Sequence, residues 1–278
     1  FELVIENEDD LSGLPESAIA GARHAAEEKG YENKWLFNLD MPSYIPFVQY
    51  ADNRDLREKV WRARTMTGYR AEGEYQYDNC ENILNIVRLR HERANLLGYK
   101  SHADYVLERR MAEKPEAVFA FLTKLKDAYK PAAEKELAEL KAFAAKIGGP
   151  DDLKPWDVGY YAEKMKQDLF EFSSEDLRPY FQLDKVLSGC FEHFTKLFNL
   201  EFKEAKDYPV WHKDVKAFNV TDQKSGEFIG TLYGDFFPRS GKKDGAWKTS
   251  YRDQGLFGGK VERPVIAIVC NFTKPAGD

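Results

Sequence analysis

One short stretch, Val265-Ile266-Ala267-Ile268-Val269-Cys270, constrains this chain more than any other. It is apolar at every position, and a strand of that kind reads as covered on both faces. It lies within residues 211–278, a segment rich in glycine and aromatic side chains. The residues before it supply one cover at most. The expectation is an inner strand of a sheet, in a chain that is part of a larger protein and ends ahead of the second cover.

Residues 1–200 are mostly helical in pattern. Pro15 and Gly30 bracket a helix with Ile19, Ala22 and Ala26 inward. Trp35-Leu36-Phe37 reads as extended. Asp52 or Asn53 starts a helix through Tyr69, with Leu56, Val60 and Ala63 inward. Asp78 and Glu81 form an acidic capping box before Ile83, Ile86, Val87, Ala94 and Leu97, and Gly98 stops that helix. Ser101 and Asp104 start the next. Residues 115–147 hold the longest periodic run, with Phe121, Leu122, Tyr129, Leu140 and Ala144 at helical spacing. It would span about 50 Å, with a kink expected at Pro131. Residues 156–170, a cap at Ser173 and Asp176, and residues 186–197 complete the helical part.

Around residue 200 the character changes. Residues 215–221 and 227–237 read as strands joined by the loop Asp222-Gln223-Lys224-Ser225-Gly226. Phe228, Gly230, Leu232, Gly234 and Phe236 share one face, and Ile229, Tyr233 and Phe237 the other. Glycine within a strand marks close approach of other groups. The fold class is mainly α (α+β): a helical portion over residues 1–200 and a small antiparallel-rich sheet over 201–278, in one continuous domain.

Charge and motifs narrow the function. A net charge of −6, from 41 basic and 47 acidic residues, argues against a nucleic-acid partner. Lys242-Lys243 reads as a solvated loop. No apolar run reaches the ~18–20 residues of a membrane span, so no membrane partner is expected. Cys80, Cys190 and Cys270 make neither a disulfide framework nor a metal pair. They lean towards a cytoplasmic setting and leave a periplasmic one open. His24, His91, His102, His193 and His212 include no pair at the i, i+4 spacing of a helical metal site. No metal ligand and no catalytic residue is therefore expected in this chain. Gly255-Leu256-Phe257-Gly258-Gly259 has no helix after it and reads as a mobile loop. Trp156, Tyr160 and Tyr161 read as core or cleft wall.

Four pieces stand in a specific order: Trp211-His212-Lys213-Asp214-Val215, Gly234-Asp235-Phe236-Phe237-Pro238-Arg239, Lys243-Asp244-Gly245-Ala246-Trp247 and Val269-Cys270-Asn271-Phe272. In that order they resemble the thimet-oligopeptidase family of zinc metallopeptidases, and within it the bacterial peptidyl-dipeptidases. Gly13-Leu14-Pro15-Glu16-Ser17, Leu96-Leu97-Gly98-Tyr99 and Pro155-Trp156-Asp157 extend the likeness over nearly the whole chain. The resemblance implies a multi-helix, channel-forming peptidase lobe with a small sheet lining the channel. It implies zinc held by an H-E-x-x-H helix after the position of Asn271, in the parent protein rather than in these residues. It implies an oligopeptide substrate, release of C-terminal dipeptides or alternatively internal cleavage, and the remainder of the peptidase domain as partner. Departures are Asp244, where glycine is common, and Lys248, where methionine is common. A non-enzymatic helical peptide-binding module is the rival reading. Gly245, Ala246 and Trp247 are the candidate substrate-binding residues: an edge strand there could pair with a peptide backbone.

Overall fold

The computed structural model describes residues 1–69 and 78–274. They form two compact units, Phe1–Asn53 with Lys166–Asp278, and Arg54–Met165.

The first unit opens with β1 (Leu3–Ile5), α1 (Glu16–Glu28), β2 (Trp35–Phe37) and α2 (Met41–Tyr50). β1 and β2 pair antiparallel, and Leu3, Ile5 and the whole of β2 are buried. Ala22 and Ala26 bury the inner face of α1, as their spacing predicts. The Gly13 turn docks on the end of α2: Ser12 Oγ donates to Asp52 (2.8 Å), and the Asp52 N–H returns to the Ser12 carbonyl (2.8 Å). Gly13 has a φ of 83°, and a Cβ there would lie 2.2 Å from the Tyr50 carbonyl oxygen. Gly13→Ala is therefore expected to cost about 1–3 kcal/mol, read as a lowered urea midpoint. An unchanged midpoint would remove the role of this turn.

The second unit holds α3 (Arg54–Thr65), α4 (Cys80–Leu96), α5 (His102–Leu107), α6 (Pro115–Lys146) and α7 (Pro155–Phe170) as far as Met165. Helix α3 stops before the expected Tyr69, because Thr67 Oγ1 donates to the carbonyls of Ala63 (3.2 Å) and Arg64 (2.9 Å). Asp78 accepts from the Cys80 N–H (3.0 Å). Helices α1 and α4 end at the anticipated Gly30 and Gly98, and α6 ends at Gly148, next to the expected limit at 147. At each, two N–H groups fold back on the last turn. The core of this unit is Leu140, Ala144, Tyr160 and Tyr161, with Trp156 buried beside them.

One expected inner face, and the N-terminal half of another, turn outward. On α4 only Ala94 is buried, while Ile83, Ile86, Val87 and Leu97 are exposed. On α6 Phe121, Leu122 and Tyr129 are exposed. Their spacing is helical, but no element among the described residues covers them.

The unit's charged centre is Asp157, fully buried. Arg54 reaches it through Nε (3.0 Å) and Nη2 (2.7 Å), Arg57 through Nη2 (3.1 Å), and the Lys154 N–H donates as well (3.0 Å). The Arg57 guanidinium lies 3.9 Å from the Tyr160 ring centre. Burial raises the cost of the Asp157 charge, yet these donors hold its pKa below the usual carboxylate value.

The first unit resumes with a short 3-10 helix (Ser174–Tyr180) carrying the anticipated capping box of Ser173 and Asp176, then α8 (Leu183–Phe198). The strands β3 (Leu200–Glu204), β4 (Lys216–Asp222), β5 (Phe228–Asp235), β6 (Trp247–Arg252) and β9 (Val265–Val269) form one sheet in the order β3-β4-β5-β9-β6. Strand β9 runs parallel to β5 and antiparallel to β6. Between β6 and β9, β7 (Gly255–Phe257) and β8 (Lys260–Glu262) form a two-residue hairpin. The glycine-rich stretch read as a mobile loop is therefore ordered. Gly258 and Gly259, both at positive φ, supply the tight turn.

The β4–β5 hairpin matches its expected boundaries closely. The Asp222 carboxylate closes its loop, accepting the Ser225 N–H (2.8 Å), Asn199 Nδ2 (3.0 Å), Ser225 Oγ (2.9 Å) and the Lys224 N–H (3.0 Å). These bonds, that from the Ser225 N–H foremost, lower its pKa to about 2.

The apolar strand β9 has two unequal faces. Ala267 and Val269 pack with Val215, Ala217 and Tyr233, and Trp247 and Val265 lean on the cluster. Ile266 and Ile268 face the other way, into an apolar groove of about 420 Å³ lined also by Phe191, Phe194, Phe218, Leu232 and Phe236. Helix α8 roofs the groove's β3–β4 end, where Phe191 stacks on Phe202 at 4.4 Å. Ile268 is 37% exposed, so the expectation of cover on both faces holds for one face only.

Candidate functional site

Strand β6 ends the sheet, and among the described residues only β9 pairs with it. The ladder's alternation decides which of its backbone groups are free. The Cys270 N–H bonds the Asp235 carbonyl (2.8 Å), the Phe272 N–H bonds that of Phe236 (2.8 Å), and the Pro264 carbonyl accepts from Thr231 (3.0 Å). Even-numbered residues of β9 therefore turn towards β5, and odd-numbered ones towards β6. Trp247 and Thr249 sit opposite Val269 and Ala267, so their N–H and C=O groups are spent on β9. Those of Lys248 and Ser250 point away from the sheet. By the same parity Ala246 points outward.

The turn into β6 is clamped from behind. Asn271 Nδ2 donates to the carbonyls of Gly245 (2.8 Å) and Lys243 (3.1 Å). Gly245 itself has a φ of 98°. Of the three residues read from the sequence, Gly245 thus makes the turn, Ala246 faces the open edge, and Trp247 leans on the core. Lys248, Ser250 and Asn271 were not anticipated. For Lys248 and Ser250 the signal is the two-residue period counted from Ala246; for Asn271 the sequence carries none.

Behind the edge lies a buried ionic centre. Asp235 accepts two bonds from Arg239 (2.7 and 2.9 Å), one from Lys242 Nζ (2.9 Å) and one from Trp211 Nε1 (3.0 Å). Lys242 also donates to the carbonyls of Asp235 (3.1 Å), Phe237 (2.6 Å) and Cys270 (2.5 Å). Its side chain is 3% exposed, which corrects its reading as a solvated loop residue. One ammonium ties the ends of β5 and β9 to the loop that leads into β6. Burial disfavours the Asp235 charge, but the bonds from Arg239, Lys242 and Trp211 hold its pKa well below the carboxylate range.

A metal ion does not fit the described residues: no three His, Cys, Asp or Glu side chains come together to hold one. His91 and Glu92 on α4 are followed at the next turn by Asn95, whose amide meets the imidazole (2.9 Å). An amide there is no substitute for a second histidine ligand.

The fold and site define an α+β chain whose mixed sheet has β6 as one of its two edge strands, clamped at its entry. Residues 47–278 match Peptidase family M3, and the chain belongs to that family. It is 41% identical over 274 residues to oligopeptidase A of Escherichia coli, covering 98% of this chain and 40% of that protein. It is 36% identical over 275 residues to dipeptidyl carboxypeptidase of the same organism, covering 99% and 40%. It is 31% identical over 292 residues to saccharolysin of Saccharomyces cerevisiae, covering 100% and 40%. The chain thus spans about 40% of the length of these relatives. The family resemblance read from the sequence is borne out. Its narrowing to peptidyl-dipeptidases is not, since identity to oligopeptidase A is the higher.

Proposed function

We propose that this chain supplies helical wall and a substrate-binding sheet edge to a zinc-dependent metallopeptidase that hydrolyses oligopeptides. The observation that carries this is the outward turn of Ala246, Lys248 and Ser250 on an edge strand with no outer neighbour among the described residues. A peptide added there as a further strand gains backbone bonds that do not depend on its sequence. That suits an enzyme acting on varied oligopeptides. Membership of the M3 family and the names of its relatives supply the reaction class. Among the described residues no group of side chains would hold the zinc ion that the family implies, and the part read for this chain is to hold and extend the peptide. The apolar rows on α4 and α6, and the groove beneath Ile266 and Ile268, would pack against the rest of such a domain. Release of C-terminal dipeptides is one mode of cleavage. Cleavage within the peptide is the other, and the higher identity to oligopeptidase A favours it.

Proline at Ser250 tests the edge. It removes one outward N–H and leaves the β9 ladder intact, as proline is tolerated on edge strands. One lost bond of about 1 kcal/mol weakens binding about fivefold. Ser250→Pro is expected to weaken an extended octapeptide by that factor in fluorescence anisotropy, while Ser250→Ala binds as the unaltered chain does. Equal binding by a folded Ser250→Pro would overturn the reading.

A further inference from the structure

We propose that Lys248 selects peptides that carry a carboxylate at the position paired with it. This rests on the edge-strand reading above and deepens it.

Lys248 is the one outward-turned residue of β6 that carries a charge. In an antiparallel pair, directly opposite residues place their side chains on the same face, with Cβ atoms about 4.5–5.5 Å apart. A peptide side chain opposite Lys248 therefore lies beside its side chain, on the face that also carries Ile268. On the inner side Lys248 pairs with Ile268, which gives its ammonium no acceptor.

The nearby charges are already committed. Asp235 is held by Arg239 and Lys242, Asp253 accepts from Ser250 Oγ (2.6 Å), and Arg252 Nε donates to the Arg263 carbonyl (2.9 Å). Lys248 is exposed and has no ion-pair partner among the described residues. A strand laid along β6 would take water from this ammonium. A neutral neighbour offers nothing in return, whereas a carboxylate restores the lost interaction. The carboxylate could belong to a Glu or Asp side chain or to the peptide's own C-terminus, and the two sources are separable.

Four octapeptides make the test: a central Glu or Gln, each with a free or an amidated C-terminus. Their binding to the full chain is followed by fluorescence anisotropy at low salt. The expected result is a two- to fivefold preference for the peptide bearing the extra carboxylate, the range for an exposed pair. High salt should erase it. A Glu-over-Gln difference assigns the side chain as source. A free-over-amidated difference assigns the terminus. Lys248→Met, which keeps the length and removes the charge, should abolish the preference and still bind the Gln peptide. Lys248→Glu should reverse it. Binding of all four peptides with equal affinity would overturn the role of Lys248 and leave the edge reading standing. Failure of any peptide to bind would remove the edge reading and this inference together.

Discussion

Asp235→Asn is expected to destabilise the first unit by about 3–5 kcal/mol, the cost of stripping one partner from a buried charge pair. Lys242 is 3% exposed and cannot swing to solvent without releasing three carbonyls at once. Asparagine leaves that ammonium charged with only neutral acceptors, and Arg239 loses its paired acceptor. Urea unfolding followed by the fluorescence of Trp211, which bonds the same carboxylate, is the measurement. A second change separates charge from shape. Adding Lys242→Met to Asp235→Asn should recover part of the loss, because the uncompensated charge is gone. Recovery stays incomplete, since three carbonyls lose a donor. A loss under about 1 kcal/mol in the single variant would show the pair to be dispensable. The pH dependence has a definite sign. The folded pKa of Asp235 lies below its unfolded value of about 3.9. Its contribution is therefore complete above about pH 5 and is lost progressively as pH falls towards the folded pKa.

Asp157→Asn should have a similar effect, about 3–5 kcal/mol, in the second unit. Asp157 is fully buried and balances two guanidiniums, and the side chain of Arg57 is 2% exposed. Arg54 is partly solvated and can relax. Arg57 is wedged over Tyr160 and cannot. The loss should thus be traceable to Arg57: in a double-mutant cycle, Arg57→Met should couple to Asp157→Asn more strongly than Arg54→Met does. Trp61 and Trp156, 5.6 Å apart in this unit, report its unfolding by near-ultraviolet dichroism. Equal coupling of the two arginines would overturn this ranking.

Signals that act over three or four residues were legible in the sequence. The helix stops at Gly30 and Gly98, the Ser173 box and the Asp222 loop all belong to this class, and each formed where it was read. Helix α2 was not anticipated: Pro42 and Pro46 interrupt its pattern, yet Pro42 falls in the first turn, which needs no internal N–H partners, and the helix runs on through Pro46. Strand β3 was missed because Leu200, Phe202 and the charges between them fit the end of α8 as well as a strand. Lys242 shows the deeper limit. Nothing in its neighbours marks it as buried, because its acceptors come from residues up to 28 positions away. The site was legible as a segment and not as a set of roles. Gly245-Ala246-Trp247 marked the turn, but which residues face outward depends on the register with β9.

The order β5-β9-β6 also carries a history of assembly. The β4–β5 hairpin closes through the short Asp222 loop. The parallel pairing of β5 with β9 joins Thr231 to Val265 and must wait for a longer loop to close. Strand β6 pairs with β9 across a shorter loop, Arg252 lying opposite Val265, so those two strands form an arm that docks on β5 as a unit. Held from one side only, β6 should loosen ahead of the inner strands, a seam that breathes while the middle of the sheet holds.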